Sequence, residues 1–398
     1  MLVQQEKPNC SGCSACYAAC PADAIVMMQD EEGFLYPQIQ EQKCLHCDLC
    51  LKVCPLTPDH AKEHAASCSG FQQRYYAVRA KDAQILSRSR SGGAFYLLAM
   101  KILQQGGSVY GTALNPEHQA VFAKADHPEQ LSAMQGSKYV QSDMTEGFEE
   151  IRQALISGKK PLLFVGTACQ TAGLLSFLRL KKCDTQHLYT ADFVCHGVPS
   201  PLLWQDNLQE LEQKWKLTIT EVNFRDKALG WRSHIESYRG MDSHGRLSPR
   251  KYSNKYTTIF CSGAALRPSC HQCRFCSFER PSDLTLGDFW GAETAGLQKE
   301  AENGMSQVMI NTRKGAGLIE SLPGADLFEI TKEAVSRQPN LFHPTAVSPQ
   351  RDQFWQLYRE KGYTAAANAF YPWIERIKVP YNRLKCRISR RKTETVHD

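Results

Sequence analysis

One cysteine ladder occurs twice near the amino end, as "CSGCSACYAACP" from Cys10 to Pro21 and as "CLHCDLCLKVCP" from Cys44 to Pro55. An iron-sulfur cubane needs four soft thiolate donors. The C-x2-C-x2-C-x3-C-P spacing takes three of them from one tight loop and turns the fourth toward a neighbouring cluster. The expected ligand sets are therefore crossed: Cys10, Cys13, Cys16 and Cys54 for one 4Fe-4S cluster, and Cys44, Cys47, Cys50 and Cys20 for the other. Zinc sites, by contrast, present cysteines in CxxC pairs rather than in a repeated ladder of four.

Two clusters tied by exchanged ligands make residues 1–60 an α+β module resembling a bacterial two-cluster ferredoxin. Such a module conducts electrons and transforms nothing by itself. The remaining chain is long enough for at least one large core. Its 42% apolar and 22% charged residues are ordinary, whereas 17 cysteines in 398 residues are not. The segment "MLVQQEKPNC" lacks the basic, apolar and small-residue pattern of a secretory leader, so the thiols are expected in a reducing cytoplasm as metal ligands. The formal charge of +6 treats cysteines as neutral. Each oxidised cluster with four thiolates contributes about −2, so two bring the chain near +2 and three near zero, and no nucleic-acid partner is inferred. The uncharged stretch from Pro161 to Leu178 reaches the lower length limit for a membrane span, but its central "GTACQT" reads as a turn between a buried strand and a helix, so no transmembrane segment is expected.

Beyond a polar connector, "YYAVRA" reads as a strand, Ala94 to Gln104 as an amphipathic helix, "GGSVYGTAL" as a strand, Met144 to Ser157 as a helix, and "PLLFVG" with "AGLLSFLRL" as a strand and helix. This alternation predicts a larger α/β domain with a mixed, partly parallel sheet. Between Thr218 and Phe260, aromatic and β-branched runs broken by "SHGR" predict a hairpin-rich antiparallel insertion. The last fifty residues read as helical with a basic tail, "RLKCRISRRK".

Nine cysteines lie outside the ladders, and Cys169, Cys195, Cys270 and Cys273 sit in conspicuous surroundings. With "SRSGGAF", "GSKYVQSD", "FVGTACQ", "VCHGVPSP", "SCHQC" and "SDLTLGDFWG" in this order, the chain resembles the coenzyme F420 hydrogenase/dehydrogenase beta-subunit family from about Tyr75 to Gly315. The resemblance implies a flavin-binding α/β domain that holds FAD beside a third 4Fe-4S cluster, with Cys169, Cys195, Cys270 and Cys273 as ligands. Ala168 stands where the family usually has proline, and Cys261 or Cys276 could replace one of the four. Buried free thiols are the structural alternative. The implied domains are 61–150 and 151–345 for the two parts of the family domain, and 346–398 for a helical extension.

The same resemblance makes Ser91, Gly92, Gly93, Lys138, Tyr139, Leu286, Gly287, Asp288, Ser306 and Thr312 candidate FAD contacts, the glycines opening a helix toward the diphosphate. Arg225, Lys227 and Trp231 form a basic-aromatic group suited to an anionic or planar substrate, although a surface hairpin would look the same. His196 could move a proton, or serve only as a structural histidine beside the cluster. The expected function is an iron-sulfur flavoprotein oxidoreductase acting on coenzyme F420 or another small organic substrate, fed by ferredoxin or another redox subunit. A homo-oligomer stays open. The alternatives are an electron-transfer beta subunit of a larger hydrogenase or dehydrogenase, and a ferredoxin-headed scaffold without flavin.

Overall fold

The computed structural model describes residues 6–57, 70–372, 376–377 and 379–380. The basic tail and most of the polar connector lie outside the described residues. The two ladders fold alike. Backbone φ is positive at Gly12 and Ser14 in the first and at His46 and Asp48 in the second, the alternation that curls successive N–H groups around an anion. A five-residue helix follows each loop, Ala15–Ala19 and Leu49–Val53, and Cys20 and Cys54 cap their ends. Between them β1 (Ile25–Gln29) pairs antiparallel with β2 (Leu35–Ile39). The Asp30 carboxylate ties the turn by accepting from the N–H groups of Glu32 and Phe34. A module of this size buries little by itself. Its Ala15, Ala19 and Val53 instead share one apolar core with Phe148, Leu174 and Phe177 of the main domain.

That domain is built on an eight-stranded sheet: β3 (Arg74–Ala80), β4 (Ser108–Leu114), β5 (Ala120–Ala125), β6 (Leu162–Val165), β7 (Leu188–Phe193), β11 (Leu284–Asp288), β12 (Ser306–Ile310) and β13 (Ala325–Glu329), in the order β13-β3-β12-β11-β7-β6-β4-β5. The strands β4, β6, β7 and β11 run parallel, and antiparallel neighbours flank them on both sides. All four residues of β6 are buried, as expected for a central parallel strand covered on both faces. The uncharged stretch is this strand followed by the helix Ala168–Leu180, whose first turn is closed by a reciprocal Thr167–Gln170 capping box. No helix among the described residues is long and apolar enough to cross a membrane.

The insertion is a three-stranded antiparallel sheet of β8 (Thr218–Asn223), β9 (Glu236–Met241) and β10 (Lys251–Ser253). Its end departs from expectation: Lys255–Cys261 is a helix. Tyr256, Ile259 and Phe260 fall at i, i+3 and i+4 and are buried together, so helical periodicity overrides the strand preference of the aromatic and β-branched residues. The helix Arg351–Phe370, broken at Gly362, packs Phe354, Trp355 and Tyr363 into the same cluster as Trp204.

In open α/β sheets ligands gather beyond the carboxyl ends of the parallel strands. Here that edge carries the turns after β6, β7 and β11, and also the turn containing Gly92, because β3 runs in the same direction as β11 with β12 antiparallel between them. Gly92 accepts from the Ala80 N–H at 2.7 Å and donates to Ser306 Oγ at 2.9 Å. A Cβ there would lie 2.0 Å from the Val78 carbonyl oxygen and 2.4 Å from the Ser306 nitrogen, both backbone atoms. Gly92→Ala is therefore expected to destabilise the domain by at least about 1–3 kcal/mol. A lowered denaturation midpoint would show this, and an unchanged midpoint would rule the close approach out.

Candidate functional site

The N-terminal cysteines are gathered in two groups. Cys20, Cys44, Cys47 and Cys50 line one small cavity with Ile25, Ile39 and Leu45. The Ala24 N–H points at Cys20 Sγ, 3.3 Å away. The other group lies deeper. Burial pushes up the thiols of Cys13 and Cys16, and the mutual charges of Cys10, Cys13, Cys16 and Cys54 add to the effect. Thiols so arranged ionise only against a cationic centre. Among the described residues no three His, Cys, Asp or Glu side chains converge on a single metal ion. A cubane asks for a wider arrangement, since each of its thiolates holds a different iron.

A larger cavity lies between this module and the sheet. Cys169, Cys195, Cys270, Cys273 and Cys276 all line it, together with Ser11 and Leu56 from the module. Three of them arrive by separate structural devices. Cys169 sits in the first turn of the helix after β6, with Thr167 Oγ1 3.1 Å from its sulfur. Cys195 follows β7, and the Gly197 N–H donates to its Sγ at 3.4 Å. Cys270 lies on the short 3-10 turn Pro268–Gln272, and the Val198 N–H donates to its Sγ at 3.5 Å. Burial, then the charges of Cys169 and Cys273, push the Cys195 thiol up to about 12. The pair Cys273 and Cys276 share a hydrogen bond that holds the first down and the second up. Cys261 is exposed at the end of its helix, 3.8 Å from His234 Nδ1, and does not line this cavity.

The inner cavity adjoins the deeper N-terminal group. Gly173 lies four residues, one turn and about 6 Å, beyond Cys169 on the same helix. A Cβ at Gly173 would come within 3.0 Å of Cys13 Sγ, so a larger residue would make the ladder loop give by a few tenths of an ångström. The signal in the sequence is a small residue one turn after Cys169, and it is easily passed over.

On the other side of Cys195, the carboxyl ends of β3 and β11 hold a concentration of cationic side chains. Arg225 is 2% exposed, forms an ion pair with Asp288, and donates to the Trp231 carbonyl at 2.7 Å. Lys227 Nζ donates to the carbonyls of Leu86, Ser91 and Asn303. Lys138 Nζ donates to those of Ala133, Met134 and Gln135. Arg90, just before the Gly-Gly turn, keeps a buried Nε without a hydrogen-bond partner and is influenced by both Asp226 and Arg225. Ser91 Oγ donates to the Met305 carbonyl at 2.5 Å. Trp231 stacks on Trp290 with centroids 5.0 Å apart, and the Arg225 guanidinium lies over both rings. Arg90 and Trp290 join this group although sequence reasoning had not singled them out.

His196 bridges the two regions. Its Nδ1 lies 3.1 Å from Thr345 Oγ1, and its ring meets Phe260 edge-on, while Phe260 stacks on Tyr139. Burial holds its imidazole below the usual value. The Leu286 side chain belongs to the sheet core, and its carbonyl accepts from the Val194 N–H. Gly287 lies beside Val194, one residue before Cys195. Gly93 opens the helix Ala94–Gln104. Thr312 is not part of this gathering, contrary to expectation. Its Oγ1 donates to Asp283 and caps the helix Arg313–Ile319. Since β12 runs antiparallel to β11, Thr312 lies at the opposite edge of the sheet, roughly 20 Å from Ser306 at about 3.4 Å per residue.

Residues 159–335 match the family described as the carboxyl-terminal part of the coenzyme F420 hydrogenase/dehydrogenase beta subunit. Residues 9–57 match the 4Fe-4S dicluster domain. Over 55 residues the chain is 36% identical to an uncharacterized ferredoxin of Methanocaldococcus jannaschii, covering 14% of this chain and 68% of that protein. Among solved structures, a chain of the F420-reducing NiFe hydrogenase complex from Methanosarcina barkeri aligns with 74% of this chain and 90% of its own length, at 15% identity and a TM-score of 0.43.

Proposed function

The chain belongs to the coenzyme F420 hydrogenase/dehydrogenase beta-subunit family and carries a 4Fe-4S dicluster module at its amino end, and from that premise we propose an iron-sulfur flavoprotein oxidoreductase with three 4Fe-4S clusters and FAD. The observation that carries this reading is the five-cysteine cavity set between the deeper N-terminal group and the cationic end of the sheet. When bound, clusters pass single electrons and a flavin exchanges two with an organic substrate. The crossed ladder ligands, then four of Cys169, Cys195, Cys270, Cys273 and Cys276, hold the carriers in sequence. Cys276 stays open as a replacement within this set, and Cys261 drops out of it.

Arg90 would face the diphosphate with its unpartnered Nε, the Ser91–Gly93 turn would approach closely, and the charges of Lys138, Arg225 and Lys227, tied to protein acceptors, would add to the field. Trp231 and Trp290 would border the flavin or a planar substrate. F420 is the substrate class the family suggests, and His196, directly after Cys195 and edge-on to Phe260, would be the side chain to hold a proton.

An anion seated here couples to protons. Burial and the nearby Arg90 push the Lys138 ammonium down to about 7, although its three carbonyl acceptors require all three N–H groups. Burial, Arg90 and Arg225 do the same to Lys227. A bound diphosphate restores the charged form, so binding takes up protons above pH 7 and does not below it. Affinity for FAD is expected to fall with rising pH above about 7, by up to about tenfold per unit for each lysine that titrates. Fluorescence titrations from pH 6 to 9 would read this, and pH-independent binding would remove the lysines from the site.

A second reading, an electron-transfer subunit of a larger complex, is favoured by the exposure of the outer cysteine group: Cys47 is exposed and Leu45 is 67% exposed beside it. The purified chain, supplied with F420 or another acceptor and a reductant, separates the two readings. Turnover without partners rejects the purely subunit reading.

A further inference from the structure

Four arginines are deeply buried: Arg225, Arg267, Arg280 and Arg351. Three of them face a carboxylate, namely Asp288, Asp192 and Glu32 respectively. Arg267, at 0% exposure, faces none within ion-pair distance among the described residues. Its Nε donates to the Cys10 carbonyl at 2.7 Å, one terminal nitrogen donates to Gln141 Oε1 at 3.0 Å, and the other to the Leu35 carbonyl at 2.9 Å and toward Cys10 Sγ at 3.6 Å. The guanidinium also lies 4.1 Å over the Tyr36 ring. These groups supply dipoles but no countercharge, and a buried cation without countercharge is costly.

The sulfur of Cys10 is the source of negative charge in direct reach. We infer that Arg267 is the counterion of the cluster at Cys10, a positioning residue that docks the ladder module and raises the reduction potential of that cluster. This rests on the reading that Cys10 is a cluster ligand. Adding an electron makes a cluster more anionic, so a guanidinium beside it favours the reduced form, and hydrogen bonds to cluster sulfurs act in the same direction.

The test uses the full chain with its clusters built anaerobically, and electron paramagnetic resonance during a redox titration. Iron content of the wild-type chain is measured first. Iron for fewer than two clusters would reject the ligand reading and the inference with it, whereas iron for two or more carries the test to Arg267 itself. In Arg267→Gln the reduction equilibrium of the deeper N-terminal cluster is expected to shift at least tenfold toward the oxidised form, about 59 mV for one electron. The outer cluster at Cys44 should stay in place, and Arg267→Lys should recover part of the shift. Should Arg267→Gln fail to hold its clusters, Gln141→Glu keeps the arginine and sets a carboxylate against it, and should lower the same potential. A reduction equilibrium unchanged within twofold, or the deeper and outer clusters moving together, would overturn the inference.

Discussion

Cys169→Ser is expected to lose about four irons per chain while leaving the two N-terminal clusters in place, and to disconnect them from the flavin. Cys169 is the cysteine through which the inner cavity meets the ladder module, because its helix carries Gly173 against Cys13 one turn later. Removing merely a hydrogen-bond partner of a metal ligand typically costs about 10–100-fold in activity or metal affinity. Losing a ligand should exceed that, so flavin reduction by electrons entering at the N-terminal clusters should slow by more than about 100-fold. Direct photoreduction of the flavin should persist. Cys261→Ser and Cys183→Ser are the controls, since neither side chain lines the cavity. Stopped-flow bleaching of the flavin reads the rate. A Cys169→Ser chain with full iron and an unchanged rate would remove Cys169 from the ligand set and leave Cys195, Cys270, Cys273 and Cys276 as the four.

Arg225→Met is expected to remove flavin binding and to destabilise the fold by about 3 kcal/mol. Breaking one side of a buried ion pair costs about 3–5 kcal/mol, and the lower end applies because Asp288 keeps 22% exposure. The double variant Arg225→Met with Asp288→Leu separates the two consequences. Replacing both charges with apolar groups should restore much of the stability, yet it leaves the site without the guanidinium that lies over Trp231 and Trp290. Chemical denaturation and flavin retention after gel filtration measure the two effects. Restored flavin binding in the double variant would assign Arg225 to stability alone.

Local patterns were the legible part of this chain. The ladder spacing specified the crossed cysteine groups, because tight-loop geometry is a property of a dozen residues. The helix Ala94–Gln104 and the strand-turn-helix around Cys169 followed from hydrophobic period and capping. Strand direction was hidden. "SQVMI" is buried at every position and does not say which of its ends meets the site, so the resemblance put both Ser306 and Thr312 near the cofactor although they lie at opposite ends of β12. The helix Lys255–Cys261 was hidden for another reason: its residues favour strands and are helical only because one face packs into the aromatic cluster around Trp204. Arg267 and Cys10 lie 257 positions apart and meet through the docking of module on domain. No window of sequence contains that contact. Arg90 was within reach, since it directly precedes the Gly-Gly turn, but its role depends on cations brought in from "GSKYV" and "NFRDK".

Iron and flavin counted together in the full chain, purified without oxygen, test the central claim most directly. Three clusters beside a flavin predict about twelve irons and one FAD per chain. About eight irons and no flavin, after reconstitution with both, would contradict it and leave a two-cluster ferredoxin head on a domain with another purpose.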